Sequence, residues 1–155
     1  MSVLKLKLVT MYFGNPKNGI SKKVLYQVQA LRNNNIDARL VLLGKGSRED
    51  FKEDFVDIIS TKVPPYKSFL DKLSAVKSLR RSYEQVLLDG DQEEVIMLRE
   101  CVPSFWMWRL LKQSKKKVIL ELLSNSFQEA LLRKSYLYYI SLCLFYAPIL
   151  RSVNF

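Results

Sequence analysis

Three groups of residues have types and spacings that could do chemistry. The first is Gly14-Asn15-Pro16-Lys17-Asn18-Gly19-Ile20-Ser21, two glycines five apart followed by a hydroxyl. In a phosphate-binding loop this frame lets backbone N–H groups cradle an anion while a lysine reaches the terminal phosphates and the hydroxyl holds magnesium. Ile20 stands where that lysine belongs, which removes the main electrostatic element of an ATPase. The glycine spacing of a dinucleotide fingerprint is absent as well, so the loop reads as a plain turn or a ligand cradle. The second group, Asp89-Gly90-Asp91, has the spacing of an acidic pair that chelates a metal at a diphosphate. Such a pair should end a strand; this one precedes a strand, and it reads as a solvated turn. The third joins Arg99-Glu100 to Glu121, each beside an apolar run. A charge in so apolar a setting needs a partner. Arg99 and Glu121 are therefore either a structural ion pair or a place where substrate hydroxyls are recognised.

Composition removes whole classes of mechanism. The 155 residues include no histidine, which excludes a histidine triad or a histidine metal site. Cys101 and Cys143 lie far apart, with no zinc spacing, and read as free thiols in a reducing compartment. The balance of 25 Lys and Arg against 15 Asp and Glu gives +10 and favours anionic partners. These bases are dispersed, and no helix-turn-helix, zinc or RNA-recognition pattern accompanies them, so nucleic acid is not the expected partner. Lysines interrupt the first apolar run, so no signal peptide is expected and a cytoplasmic setting is.

The elements that must position these groups alternate between strand and helix. Val3 to Met11 reads as a strand that becomes apolar on both faces, and Ser21 as the N-cap of a helix carrying Val24, Leu25, Val28 and Leu31. Asn33-Asn34-Asn35 stops that helix, and Asp37 to Leu43 forms a second, parallel strand closed by Gly44-Lys45-Gly46. Phe55 to Ser60 is a short third strand, and Pro64-Pro65 breaks the chain. A long helix follows from about Lys67 to Leu88, with a core stripe of Phe69, Leu70, Leu73, Val76, Leu79, Tyr83, Val86 and Leu87. Lys72, Lys77, Arg80 and Arg81 form its solvated face. Val95 to Leu98 and Val118 to Leu123 are further strands, separated by a helix whose first turn holds Pro103 and whose exit is Lys115-Lys116-Lys117. A last helix runs from near Asn125 or Ser126 to about Pro148. The expected fold is α/β, a doubly wound, mostly parallel sheet with helices on both faces, Rossmann-like, forming one domain.

Ser135 to Leu150 has no charge and holds four tyrosines. It is too short for a confident membrane span, which takes about 20 apolar residues. It reads as a core helix, as a face for a further domain, or as an interfacial membrane helix with aromatic and cationic anchors. Leu137, Ile140, Leu144 and Phe145 are the side chains that would be uncovered if a covering domain is absent.

Taken in order, three stretches resemble the N-terminal domain of GT-B glycosyltransferases, specifically the retaining group-one enzymes of capsule and surface-polysaccharide assembly. Val9 to Leu31 looks like their first strand, loop and helix, with Asn18-Gly19-Ile20 in place of the Gly-Gly-Ile-type turn. Val95-Ile96-Met97-Leu98-Arg99 looks like a strand ending in arginine, and Lys117-Val118-Ile119-Leu120-Glu121 like the following strand with its terminal glutamate. Leu122-Leu123-Ser124-Asn125 departs from the proline- and tyrosine-containing turn that capsule enzymes often carry there. The resemblance implies transfer of a sugar from a nucleotide-sugar to a glycan or lipid-linked acceptor, with this chain as the acceptor-side half. The C-terminal donor domain, or a partner chain supplying it, lies beyond the matching stretches. Gly14, Asn15, Gly19 and Ile20 would line the cleft, and Arg99 and Glu121 would face the acceptor. No metal, no cofactor and no catalytic residue are expected in this half. The basic surface implies peripheral contact with an anionic membrane, at its cytoplasmic face. The competing expectation is a non-catalytic binding or adaptor protein on the same fold.

Overall fold

In the computed structural model, residues 4–12, 19–62, 64–65, 67–99, 102–121 and 136–152 are described. Five strands form one sheet: β1 (Lys5–Tyr12), β2 (Asp37–Gly44), β3 (Val56–Ser60), β4 (Val95–Leu98) and β5 (Lys117–Leu120). Their order is β3-β2-β1-β4-β5, and every neighbouring pair is parallel. The sheet is thus a doubly wound α/β sheet of Rossmann-like order, as the alternation of elements implies.

Strand β1 is central because it is apolar on both faces. Leu6, Leu8 and Tyr12 pack with Val24 and Val28 of helix α1 (Gly19–Asn33), whereas Val9 joins Val41, Ile96 and Leu98 on the other face. That second face is covered by Tyr83, Val86 and Leu87 of α2 (Phe69–Leu88), Met107, Leu110 and Leu111 of α3 (Phe105–Gln113), and Ile149 of α4 (Tyr136–Ser152). Ser68 caps α2 by accepting from the Asp71 N–H, and Ser104 caps α3 by accepting from the Met107 N–H. Helix α1 ends in a left-handed residue, Asn35 (φ 60°), with the Ile36 N–H donating to the Leu31 carbonyl and the Asn35 N–H to the Arg32 carbonyl. Asparagine here takes the place glycine usually holds in this motif.

Several boundaries differ from the sequence expectation. Ser21 is not the N-cap of α1; it lies inside the helix and is buried. Pro103 precedes the cap of α3 instead of occupying its first turn. Strand β5 stops at Leu120, short of Leu123, whereas the described part of α4, Tyr136–Ser152, ends shortly after Pro148 as expected. Leu122, Leu123, Asn125 and Ser126 lie outside the described residues.

The largest difference is in α2. Only the later part of its expected stripe is core: Tyr83, Val86 and Leu87 are buried and Leu79 packs against them. Phe69, Leu70, Leu73 and Val76 are exposed. The covered line of the helix is Ala75, Leu79, Ser82 and Val86, of which Ala75, Ser82 and Val86 are buried and Leu79 packs against the core, and the four exposed residues lie to one side of that line. Because α2 follows β3, its first turns stand at the carboxyl edge of the sheet. On α4, Leu137, Ile140 and Leu144 are exposed while Phe145 packs against the core. Among the described residues no helix is long and apolar enough to cross a membrane.

Candidate functional site

The chain leaves β1 through α1 towards β2 on one side, and leaves β4 through α3 towards β5 on the other. Between β1 and β4 the winding therefore reverses, and the crevice at their carboxyl ends is where sheets of this kind bind ligands. Arg99 is the first residue beyond β4, and its N–H donates to the Val9 carbonyl at 2.9 Å. Glu121 is the first beyond β5, and its N–H donates to the Leu98 carbonyl at 2.8 Å. The ladder thus continues one step past each strand and fixes where both side chains start. Alternation along β4 sends Arg99 to the same face as Met97, the face covered by α1.

There the Arg99 guanidinium is almost wholly enclosed, at 3% exposure. Its Nη1 donates to Gln27 Oε1 of α1 at 3.2 Å, and Gln27 Nε2 lies 4.0 Å from Met97 Sδ. Its Nη2 stands 3.9 Å from Glu121 Oε1, close enough for charge attraction and too far for a hydrogen bond. Among the described residues, Arg99 Nε and Glu121 Oε2 are buried with no hydrogen-bond partner. An arginine brings five N–H donors in a rigid fork, and a buried carboxylate oxygen is a strong acceptor. The site therefore offers an unused donor and an unused acceptor within one loosely closed ion pair. The chemistry of the two atoms is complementary to a hydroxyl group, which both donates and accepts.

Tyr12, at the carboxyl end of β1, belongs to the same edge and the same face. Its hydroxyl is also buried without a hydrogen-bond partner among the described residues. Burial pushes the phenol above its ordinary pKa, and the negative charge of Asp50 adds to this, so it stays neutral. The ring meets Phe51 edge-on at 5.4 Å between centroids. Two glycines make room for this strand end. A Cβ on Gly44 would lie 1.7 Å from the Tyr12 carbonyl oxygen, and one on Gly46 would lie 2.6 Å from Tyr12 Cε1.

Of the residues singled out by sequence, Arg99 and Glu121 are brought together. Gly19 and Ile20 open α1, which follows β1 and so starts at the same edge. Gly14 and Asn15, like Glu100 and Cys101, lie outside the described residues. Gln27 and Tyr12 were not singled out. Gln27 carries the one readable signal, a polar residue next to the buried Val24 and Val28 positions of an amphipathic helix.

Asp89-Gly90-Asp91 lies at the opposite, amino edge. Gly90 adopts φ 86°, and Asp91 pairs with Lys5 at 2.8 Å on the surface. Among the described residues no cluster of three or more potential metal ligands exists. Two further hollows lie away from the Arg99 pair. One of about 320 Å³ has Leu25, Tyr26, Phe51 and Phe55 in its wall. Another of about 490 Å³ runs between the end of β3 and the Ser74-Ser78-Ser82 side of α2.

Comparison of the chain with protein-family models, with curated proteins and with solved structures finds no match in any of the three.

Proposed function

We propose that this chain is the acceptor-side half of a glycosyltransferase, in which Arg99 and Glu121 recognise hydroxyl groups of a glycan or lipid-linked acceptor. The observation that carries this reading is the half-made pair itself, a buried donor and a buried acceptor without partners at the reversal point of the sheet. The resemblance of the strand ends at Arg99 and Glu121 to those of group-one transferases supports the same assignment. The donor would be a nucleotide-sugar held by a separate domain or partner chain, with retention of anomeric configuration. Gly14, Asn15, Gly19 and Ile20 would line the cleft between the two halves. No metal or cofactor has a role in this reading.

One half of such a cleft cannot preorganise a transition state. The 155-residue chain alone is therefore expected to turn over no nucleotide-sugar, while still binding acceptor oligosaccharides. Binding followed by amide NMR against a panel of surface-polysaccharide fragments tests the site. Arg99→Met should weaken it by about 10- to 100-fold, as expected for hydrogen bonds to a charged group. Turnover by the isolated chain, or binding indifferent to Arg99 and Glu121, would overturn the assignment. Acceptor binding that persists while no donor domain restores transfer would favour the adaptor reading.

A further inference from the structure

The first turns of α2 have no role in the Arg99 site. Phe69, Leu70, Leu73 and Val76 are 73, 74, 52 and 50% exposed, a continuous apolar strip rather than scattered single residues. Phe69, Leu73, Val76 and Arg80 follow one another at helical spacing on one face, with Leu70 and Lys77 beside them. The strip is embedded in positive charge. Residues 62–81 hold six lysines and arginines (Lys62, Lys67, Lys72, Lys77, Arg80 and Arg81) against one acid, Asp71. That stretch carries net +5 over 20 residues. Lys67, Lys72, Lys77, Arg80 and Arg81 are all exposed.

We infer that the first three turns of α2 form a docking surface for an anionic lipid bilayer, with Phe69, Leu70, Leu73 and Val76 entering the interface and the surrounding bases meeting lipid phosphates. Charge complementarity selects this occupant. An apolar strip ringed by bases is the pattern of a helix lying in a bilayer interface, where apolar burial and attraction to anionic headgroups act together. Another copy of this chain would bring the same +5 to the contact, opposing association. The surface lies at the carboxyl edge of the sheet, so docking would bring the Arg99 crevice near the bilayer. The inference itself does not depend on what that crevice binds.

The test is co-sedimentation with vesicles of phosphatidylcholine alone and of phosphatidylcholine mixed with phosphatidylglycerol. Retention is expected only on the anionic vesicles and should fall as salt rises. Lys72→Gln and Lys77→Gln should each weaken it by roughly fivefold, the effect of removing one charge near such a surface. The pair Leu70→Ser and Leu73→Ser should abolish it with the thermal melt unchanged, since both side chains are exposed. Leu137→Ser in α4 and Arg99→Met should leave it intact, which separates this result from the fate of the acceptor site. Equal binding to both vesicle types would overturn the inference. So would loss through Leu137→Ser instead of the α2 pair, or a lipid-free dimer that the α2 pair dissociates.

Discussion

The two edges of the sheet solve the same problem, a buried cation among apolar strands, in opposite ways. At the amino edge Lys116 is 3% exposed and fully engaged. Its Nζ donates to the Val86 carbonyl at 3.1 Å, to the Asp89 carbonyl, and to Glu94 Oε2 at 3.1 Å. Glu94 also takes Lys7 at 2.9 Å, so one carboxylate ties β1, β4 and the start of β5 together. At the carboxyl edge Arg99 is equally buried, yet its carboxylate stands back at 3.9 Å and its Nε finds no partner among the described residues. A saturated network stabilises the fold, whereas an unsaturated one holds a penalty that a ligand can relieve.

The most demanding way to break this contrast is to remove each cation in turn. Lys116→Met leaves Glu94 and two carbonyls short of a donor and should cost about 3 kcal/mol in urea unfolding, the usual result of breaking a buried pair. Arg99→Met removes a charge that was poorly compensated and should change stability by less than about 1 kcal/mol, while weakening acceptor binding as stated above. Equal losses in the two variants would mean that both edges are structural.

Titration sharpens the same comparison. Burial alone would push the Glu94 carboxyl up, but hydrogen bonds from Lys7 and Lys116 outweigh this and hold it below its ordinary value near 4.5. Its contribution is therefore present above that value and lost as pH falls through the lower, folded one. At the other edge the Tyr12 phenol is raised, so stability should fall as pH rises above about 10. Denaturation midpoints across pH should accordingly decline at both ends. Glu94→Gln should flatten the acid limb and Tyr12→Phe the alkaline one; an unchanged acid limb in Glu94→Gln would dissolve the amino-edge account.

The smallest effect belongs to Asp91. Its link to Lys5 is exposed on both sides, and such pairs contribute little. Asp91→Asn should leave the melting temperature unchanged at physiological salt. A clear loss would show that the turn does more than cap the network.

Much of the architecture was legible because periodicity is a local property. The two-sided apolar run of β1 required cover on both faces, and the alternation of elements required a parallel sheet. Ser68 and Ser104 cap their helices without being evident beforehand, since their partners are backbone N–H groups. Ser21 looked like a cap because it precedes an amphipathic pattern, yet the helix starts before it. The sequence could place Arg99 and Glu121 at strand ends and suggest that they meet. It could not give the gap between them, because that depends on how β4 and β5 stand relative to α1. In the sequence Lys116 is one of three exit lysines, indistinguishable in type from its neighbours until α2 and the 89–94 turn close over it.

The sequence by itself determined the α/β class and the parallel, doubly wound sheet, because hydrophobic alternation and strand–helix succession are encoded residue by residue. Tertiary structure decided which charges are satisfied and which apolar residues are covered. Phe69, Leu70, Leu73 and Val76 read as one stripe with Tyr83, Val86 and Leu87, yet the packed helix turns the line of Ala75, Ser82 and Val86 to the core and leaves the first four in the open.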